Sequence, residues 1–328
     1  MKINKLFLII LITILSVSAI FAAYLWNLFA RISPETEEAK KVRSSFKINW
    51  SDRVNILLIG CDNRKNINVG SRSDTMILVN IDFKNKKIKL ISIPRDTRVL
   101  IPGHDTYDKI NSTINPAYWE DGGISLTLKT LENLLNIPIK LYVKVDFEGF
   151  KKIIDSIGGV KYYVEKDMYY YDPTDGTLIN LKEGEQILDG DKALQYVRFR
   201  NDAQGDFARD STGKIYGRVT RQMNFLKAVA LKLSENRNIL KISNLINIIS
   251  RYVETNISSS ELLKAAITLK DISVDNDIIF LNFPGNAQFV DGLSYVVPNE
   301  EELKELIENE LKTVKLNTSP TNSTPSTP

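Results

Sequence analysis

"RSDTMILVNIDFKNKKIKLISIPRDT", residues 72–97, decides the fold. Ile77, Val79, Ile81 and Phe83 alternate along it, as one face of a strand requires. "FKNKK" supplies a polar turn and "IKLISI" returns. A hairpin is therefore expected. Arg72-Ser73-Asp74-Thr75 opens it, and Pro94-Arg95-Asp96-Thr97 closes it. Antiparallel pairing lays those two ends side by side. Charge gathered at one edge of a sheet suggests a site.

Outward from the hairpin, "VNILLIG" (54–60) is a nearly continuous apolar run, which suits a strand covered on both faces. A polar loop, "CDNRKNINVGSRSD", joins the two. Downstream, "SLTLKTLENLL" has helical spacing and "LYVKVDF" reads as a strand. "FEGFKKIIDSIGG" is an amphipathic helix closed by Gly158. "ALQYVRFR" reads as a strand, "RVTRQMNFLKAVALKL" and "SSELLKAAITLKD" as helices, and "DIIFLNF" as a strand. "PNEEELKELIENELK" opens with Asn299 as cap and Glu302 three residues on. Strands and helices alternate without an internal repeat, so the class is α/β with a covered sheet.

The chain has 328 residues, 43 Lys and Arg against 40 Asp and Glu, and a net charge of +3, which gives no argument for nucleic acid. Cys61 is the single cysteine, so neither an internal disulfide nor a thiolate metal cluster is available. His104 is the single histidine, which removes most His-based hydrolysis and zinc catalysis. Chemistry must run on carboxylates, arginines, lysines and hydroxyls, or on a hard metal ion.

"LFLIILITILSVSAIFAAYLWNLFA" (6–30) carries no charge, and about 20 apolar residues span a bilayer. Tyr24 and Trp26 sit where an interfacial belt would lie. Residues 1–30 are expected to form a short cytoplasmic head and one transmembrane signal-anchor, although "SAIFAA" leaves room for cleavage. A polar stalk would fill 31–50, a catalytic domain outside the membrane 51–314, and a disordered Ser/Thr/Pro tail 315–328. The expected location is the cell membrane, single-pass.

Four charged pieces stand ready to meet. Asp62 and Arg64 lie just past the "VNILLIG" strand, where ligands of open α/β sheets usually bind. Arg72 with Asp74, and Arg95 with Asp96, flank the hairpin. Arg198 and Arg200 would share one face of the "VRFR" strand, where they repel unless an anion lies between them. Arg218, Arg221 and Gln222 share a helix face at i, i+3 and i+4. Arginine forks match phosphate oxygens, and paired aspartates suit Mg²⁺ completed by substrate phosphates. Together these residues describe a diphosphate site. Singly, each has a plainer reading: the aspartates as loop caps, the arginines as solvated faces, Cys61 as a small buried residue, His104 as an exposed loop residue. Lys109 fits either reading.

"GCDNR", "RSDTMILV", "SIPRDT", "DKIN", "FEGFKKIIDSIGGV", "LDGDKALQYVRFR" and "GRVTRQ" occur in this order, and together they resemble the LytR-CpsA-Psr family of cell-envelope enzymes. The resemblance runs from about Asn55 to Leu233, with a weaker echo at "VDGLSYVVPN". It implies a three-layer α-β-α sandwich around a mixed central sheet, with a deep apolar groove for a lipid. It implies transfer of an anionic glycopolymer, of teichoic acid or capsule type, from a polyprenyl-diphosphate carrier to peptidoglycan. By motif, Asp62 and Asp74 match metal-binding aspartates for Mg²⁺ or Mn²⁺. Asp74, Arg95, Arg198 and Arg200 match the catalytic group. Arg72, Arg95, Arg198, Arg200 and Arg218 match diphosphate-contacting arginines, and Gln222 a site glutamine; Arg221 and Lys109 are carried with them. The stretch "GDFARDSTGKIYGRVTRQ" is longer than the family's usual form, so Arg209 and Arg218 compete for one role, and Arg218 keeps the spacing to Gln222. A polyprenyl-diphosphate phosphatase and a non-enzymatic envelope sensor or transcription attenuator are the rival readings.

Overall fold

The computed structural model describes residues 52–62, 72–173, 176–200, 217–235, 248–249, 251–269 and 271–312. The expected anchor, stalk and tail, and the loops carrying Arg64 and Arg209, lie outside the described residues. Among the described residues no helix is long and apolar enough to cross a membrane.

The elements run β1 (Arg53–Asp62), β2 (Arg72–Asp82), β3 (Lys87–Ile93), β4 (Arg98–Ile101), β5 (Thr106–Lys109), α1 (Ile124–Leu135), β6 (Leu141–Asp146) and α2 (Phe147–Ser156). They continue with β7 (Val160–Val164), β8 (Met168–Asp172), β9 (Thr177–Leu181), β10 (Gly184–Leu188), α3 (Gly190–Arg198), α4 (Arg218–Glu235) and β11 (Val253–Thr255). Then come α5 (Ser259–Thr268), β12 (Ile278–Leu281), β13 (Gly285–Val290), β14 (Leu293–Pro298) and α6 (Glu300–Leu306).

Six strands form one mixed sheet in the order β11-β6-β1-β2-β3-β12. β1, β2 and β3 are antiparallel neighbours, while β6 lies parallel to β1 and β12 parallel to β3. Period-two alternation divides their side chains between two cores. Leu57, Ile59, Met76, Leu78, Ile91 and Ile93 pack with Leu126, Leu128 and Leu131 of α1 and Leu303 of α6. Val54, Ile56, Ile77, Val79 and Ile81 pack with Met223 of α4 and Leu262 and Ala265 of α5. Helices thus cover both faces, and the expected sandwich with a mixed central sheet is present.

A third core lies beside these two. Ile154 of α2, Ala193 and Tyr196 of α3, and Phe225 and Val229 of α4 bury the inner residues of β7 to β10. Gly158 and Gly159, at φ +84° and +74°, turn the chain from α2 into β7, a conformation that favours glycine.

One expected element is wrong. "ALQYVRFR" is not a strand; Gly190–Arg198 is helical. The Asp189 side chain accepts from the Lys192 amide and caps the helix, and Ala193 and Tyr196 are buried at helical spacing. The β-forming residues Tyr196, Val197 and Phe199 suggest a strand, but packing at a three-residue period overrides that preference. Arg198 and Arg200 therefore do not share a strand face.

The helix sits close to its neighbour. A Cβ on Gly190 would lie 2.4 Å from the Lys151 carbonyl oxygen and 2.7 Å from its Cα. Backbone cannot yield as a side-chain tip can, so Gly190→Ala should cost about 1–3 kcal/mol. Urea unfolding of the variant should show a lower midpoint. An unchanged midpoint would mean that α2 and α3 are not held at this distance.

Candidate functional site

The site begins with a break in register. Gly60 pairs with Thr75, but Cys61 pairs with Ser73 and Asp62 with Arg72, so Asp74 is an extra residue on β2. Such a bulge re-aims a side chain. Met76 pairs with Ile93 at the end of β3, so Arg95 arrives beside Asp74. Arg95 Nη1 lies 2.8 Å from Asp74 Oδ1, as the hairpin reading requires. Its Nε makes a longer contact, 3.5 Å, to Asp96 Oδ2, and Lys109 Nζ is 3.0 Å from Asp96 Oδ1. The result is a chain of alternating charge: Asp74, Arg95, Asp96, Lys109.

The hairpin of β13 and β14 supports this chain from the side. The Val296 amide donates to the Asp96 carbonyl at 2.9 Å, and the Lys109 ammonium sits 5.6 Å from the Tyr295 ring centre. Burial alone would pull Arg95 down, but the Asp74 and Asp96 carboxylates hold it above the ordinary guanidinium value. Burial would likewise raise Asp96; the Lys109 hydrogen bond and the Arg95 charge more than offset it and hold Asp96 below the usual carboxylate range. The bridging role of Asp96 and the contact of Tyr295 emerge only here, although "PRDT" and "VDGLSYVVPN" contain them.

Asp62 ends β1, and its Oδ1 is buried. On the other side of β1, Cys61 pairs with Asp146, and Phe147 follows to open α2. Arg198 places its guanidinium 4.8 Å over the Phe147 ring and donates from Nη2 to Thr177 Oγ1 at 3.3 Å. Arg198 is thereby brought to the same end of the sheet as Asp62. It closes α3, where a cation also suits the helix dipole. Arg200 follows, exposed. The backbone of Arg72 is opposite Asp62.

The i, i+3, i+4 face of α4 does something the sequence did not indicate. Arg221 is 4% exposed. It donates from Nη2 to the Phe199 carbonyl at 2.6 Å, and its Nη1 is 3.6 Å from Glu165. Gln222 Nε2 donates to the Val197 carbonyl at 3.0 Å. Helix ends leave such carbonyls without intrahelical partners, so these two side chains fasten the end of α3 to α4. Arg218, buried at the start of α4, lies one turn before Gln222. Tyr196 donates to Glu165 at 2.9 Å, and burial pushes its hydroxyl pKa up.

Two carboxylates, Asp62 and Asp74, lie at the same end of the central strands β1 and β2, and Asp74 Oδ1 already accepts from Arg95. Among the described residues no group of three or more acidic, His or Cys side chains is placed to hold a metal. A pair of this kind is too small for an all-protein cage. A hard cation held by such a pair would complete its shell with phosphate oxygens and water.

Aspartates and arginines past the strand ends of an α-β-α sandwich make a candidate phosphate site, and comparison gives the family. The LytR_cpsA_psr family model matches residues 25–313, and the chain belongs to that family. It is 41% identical over 208 residues to the polyisoprenyl-teichoic acid–peptidoglycan teichoic acid transferase TagV of Bacillus subtilis, an alignment covering 63% of this chain and half of TagV's length. It is 31% identical over 278 residues to TagU of Halalkalibacterium halodurans, covering 84% of each chain. The crystal structure of B. subtilis TagV superposes with a TM-score of 0.64 and 33% identity, over 80% of this chain and 98% of that one. The structure of YwtF (TagT) with bound octaprenyl pyrophosphate lipid superposes with a TM-score of 0.57 and 27% identity, over 81% and 93%.

The clamp separates two roles for arginine. Arg221→Ala strips the Phe199 carbonyl of a donor and should lower stability by about 1–3 kcal/mol, while prenyl diphosphate binding by the folded protein weakens less than in Arg198→Ala. Chemical denaturation and a binding titration on the same preparations check this. Intact stability with lost binding would make Arg221 a ligand contact instead.

Proposed function

We propose that this chain transfers an anionic glycopolymer, of teichoic acid or capsule type, from a polyprenyl-diphosphate carrier to peptidoglycan, outside a membrane to which residues 6–30 anchor it. One observation supports the reading: Asp62, Asp74, Arg95 and Arg198 lie past the same end of the central sheet in a member of this family. The octaprenyl pyrophosphate held by a family structure supports the donor class, and the printed activities of TagU and TagV support the acceptor.

The residues divide the work. Arg95 is fixed between Asp74 and Asp96, so its fork is oriented before any ligand arrives. Arg198 and Arg200 at the end of α3, with Arg218 at the start of α4 and Arg72 opposite Asp62, supply the positive charge for the diphosphate. The acceptor hydroxyl oxygen bonds to the polymer-side phosphorus. The bond from that phosphorus to the bridging oxygen breaks, and polyprenyl phosphate leaves with that oxygen while the hydroxyl proton is released. Asp74 already accepts from Arg95 and is a weak base; its work is to orient. Mg²⁺ or Mn²⁺ on Asp62 and Asp74 would stabilise charge developing on the phosphoryl oxygens.

With a defined lipid-linked donor, product should form only when peptidoglycan is present and should be covalently attached to it. Asp74→Ala should slow turnover about 10²-fold or more without unfolding the protein, and EDTA should act likewise. Full activity in EDTA would remove the metal from the scheme. Donor consumption without acceptor, at the same rate and giving free products, would favour the phosphatase; tight donor binding without turnover would favour the sensor.

Orientation is tested separately. Protease added to intact protoplasts should digest the domain. Protection would reverse the topology, and release of the domain into the medium would point to a cleaved signal.

A further inference from the structure

Strands β7 to β10 form a two-stranded ribbon outside the central sheet. β7 pairs with β10 and β8 with β9, end to end. Asp167 joins the two halves: it is 2.7 Å from Lys182 Nζ and accepts from the Glu183 amide at 2.8 Å. The inner face is spent on the third core, through Val160, Val164, Met168, Ile179, Leu181 and Leu188. The outer face follows the opposite alternation and carries Tyr163 (59% exposed), Tyr169 (65%) and Tyr171 (56%), with Leu178 and Ile187 also exposed. Tyr171 stands directly across from Leu178, and Tyr169 across from Asn180.

We propose that this outer face is the docking surface for the glycan strand of the peptidoglycan acceptor, an inference that rests on the transferase reading above. Three observations commit it to that occupant. A row of exposed rings, each with a hydroxyl at its edge, suits sugar rings, whose C–H faces pack on the negative π face while their rims hydrogen-bond. Concentrated exposed apolar surface of this kind marks interaction sites. Two lysines beside these rings are already paired with carboxylates, Lys161 with Glu185 at 3.0 Å and Lys182 with Asp167, which weakens the attraction for anionic lipid headgroups or the anionic polymer of the donor. The ribbon also reaches the proposed diphosphate site at its tip: Thr177, beside Leu178 but on the alternate face of β9, accepts from Arg198. A glycan lying along the tyrosines would run towards that tip.

The test uses the full-length protein in detergent, sedimented with purified sacculi stripped of anionic polymer and, in parallel, floated with vesicles containing anionic phospholipid. Replacing Tyr169 and Tyr171 together by Ala should weaken sacculus binding on the order of tenfold, with thermal midpoint and prenyl diphosphate binding unchanged. Replacing both by Phe keeps the rings and should retain most of the binding. Unchanged sacculus binding in the alanine variant overturns the proposal, as does loss of vesicle binding with sacculus binding intact. The two readings fail separately. Wild-type protein that binds sacculi through these tyrosines yet transfers nothing sinks the transferase and leaves the docking surface. Transfer and sacculus binding that are both normal in the alanine variant sink the docking surface alone.

Discussion

The contact between Arg95 and Asp74 is the constraint around which the site is built. Both side chains are only about a quarter exposed, at 27% each, so either alone would be costly to hold there. The bulge in β2 makes the pairing possible, because a regular register would set Asp74 directly against a residue of β1. Once Arg95 is fixed, Asp96 and Lys109 follow in a chain with two acids and two bases. That chain is self-neutral. It gives the site stiffness more than net charge, and in the proposed scheme the attraction for a diphosphate comes from arginines delivered by other elements.

Apart from Arg72, those arginines come from the junction of α3 and α4. The open carbonyls at the end of α3 need donors, and Arg221 and Gln222 supply them. The clamp fixes where α3 stops, and that fixes Arg198, which packs on Phe147 beside the end of β1. Gly190 permits the close approach of α3 to α2 at its other end. Positioning by two packed helices is firmer than positioning by a loop, which suits a group that must meet a phosphoryl oxygen at hydrogen-bond distance.

The ribbon of β7 to β10 obeys the same alternation as the central sheet but ends with one side uncovered. Its inner residues complete the core that supports α3, and its outer residues face solvent. One element thus serves the packing of the arginine helix and presents the tyrosines. The link through Thr177 makes the two tasks continuous, since a shift of the ribbon would move a hydrogen-bond partner of Arg198.

The sequence by itself determined the hairpin, the covered sheet, most helices and the meeting of Asp74 with Arg95. These follow from local periodicity and from antiparallel pairing, which a single stretch encodes. Its ordered motifs also determined the family. It misread "ALQYVRFR", because Tyr, Val and Phe favour strands locally while the burial of Ala193 and Tyr196 at helical spacing depends on α2 and α4, distant in the chain. It grouped Arg221 with the ligand-binding arginines and gave no sign of its hydrogen bond to the Phe199 carbonyl, because a guanidinium donating to backbone and one facing a phosphate carry the same letter at the same spacing. Only tertiary structure decides which carbonyl or anion lies in front of the fork. The bridging by Asp96 likewise required Lys109 to be carried back along β5, a non-local contact that the sequence pattern does not record.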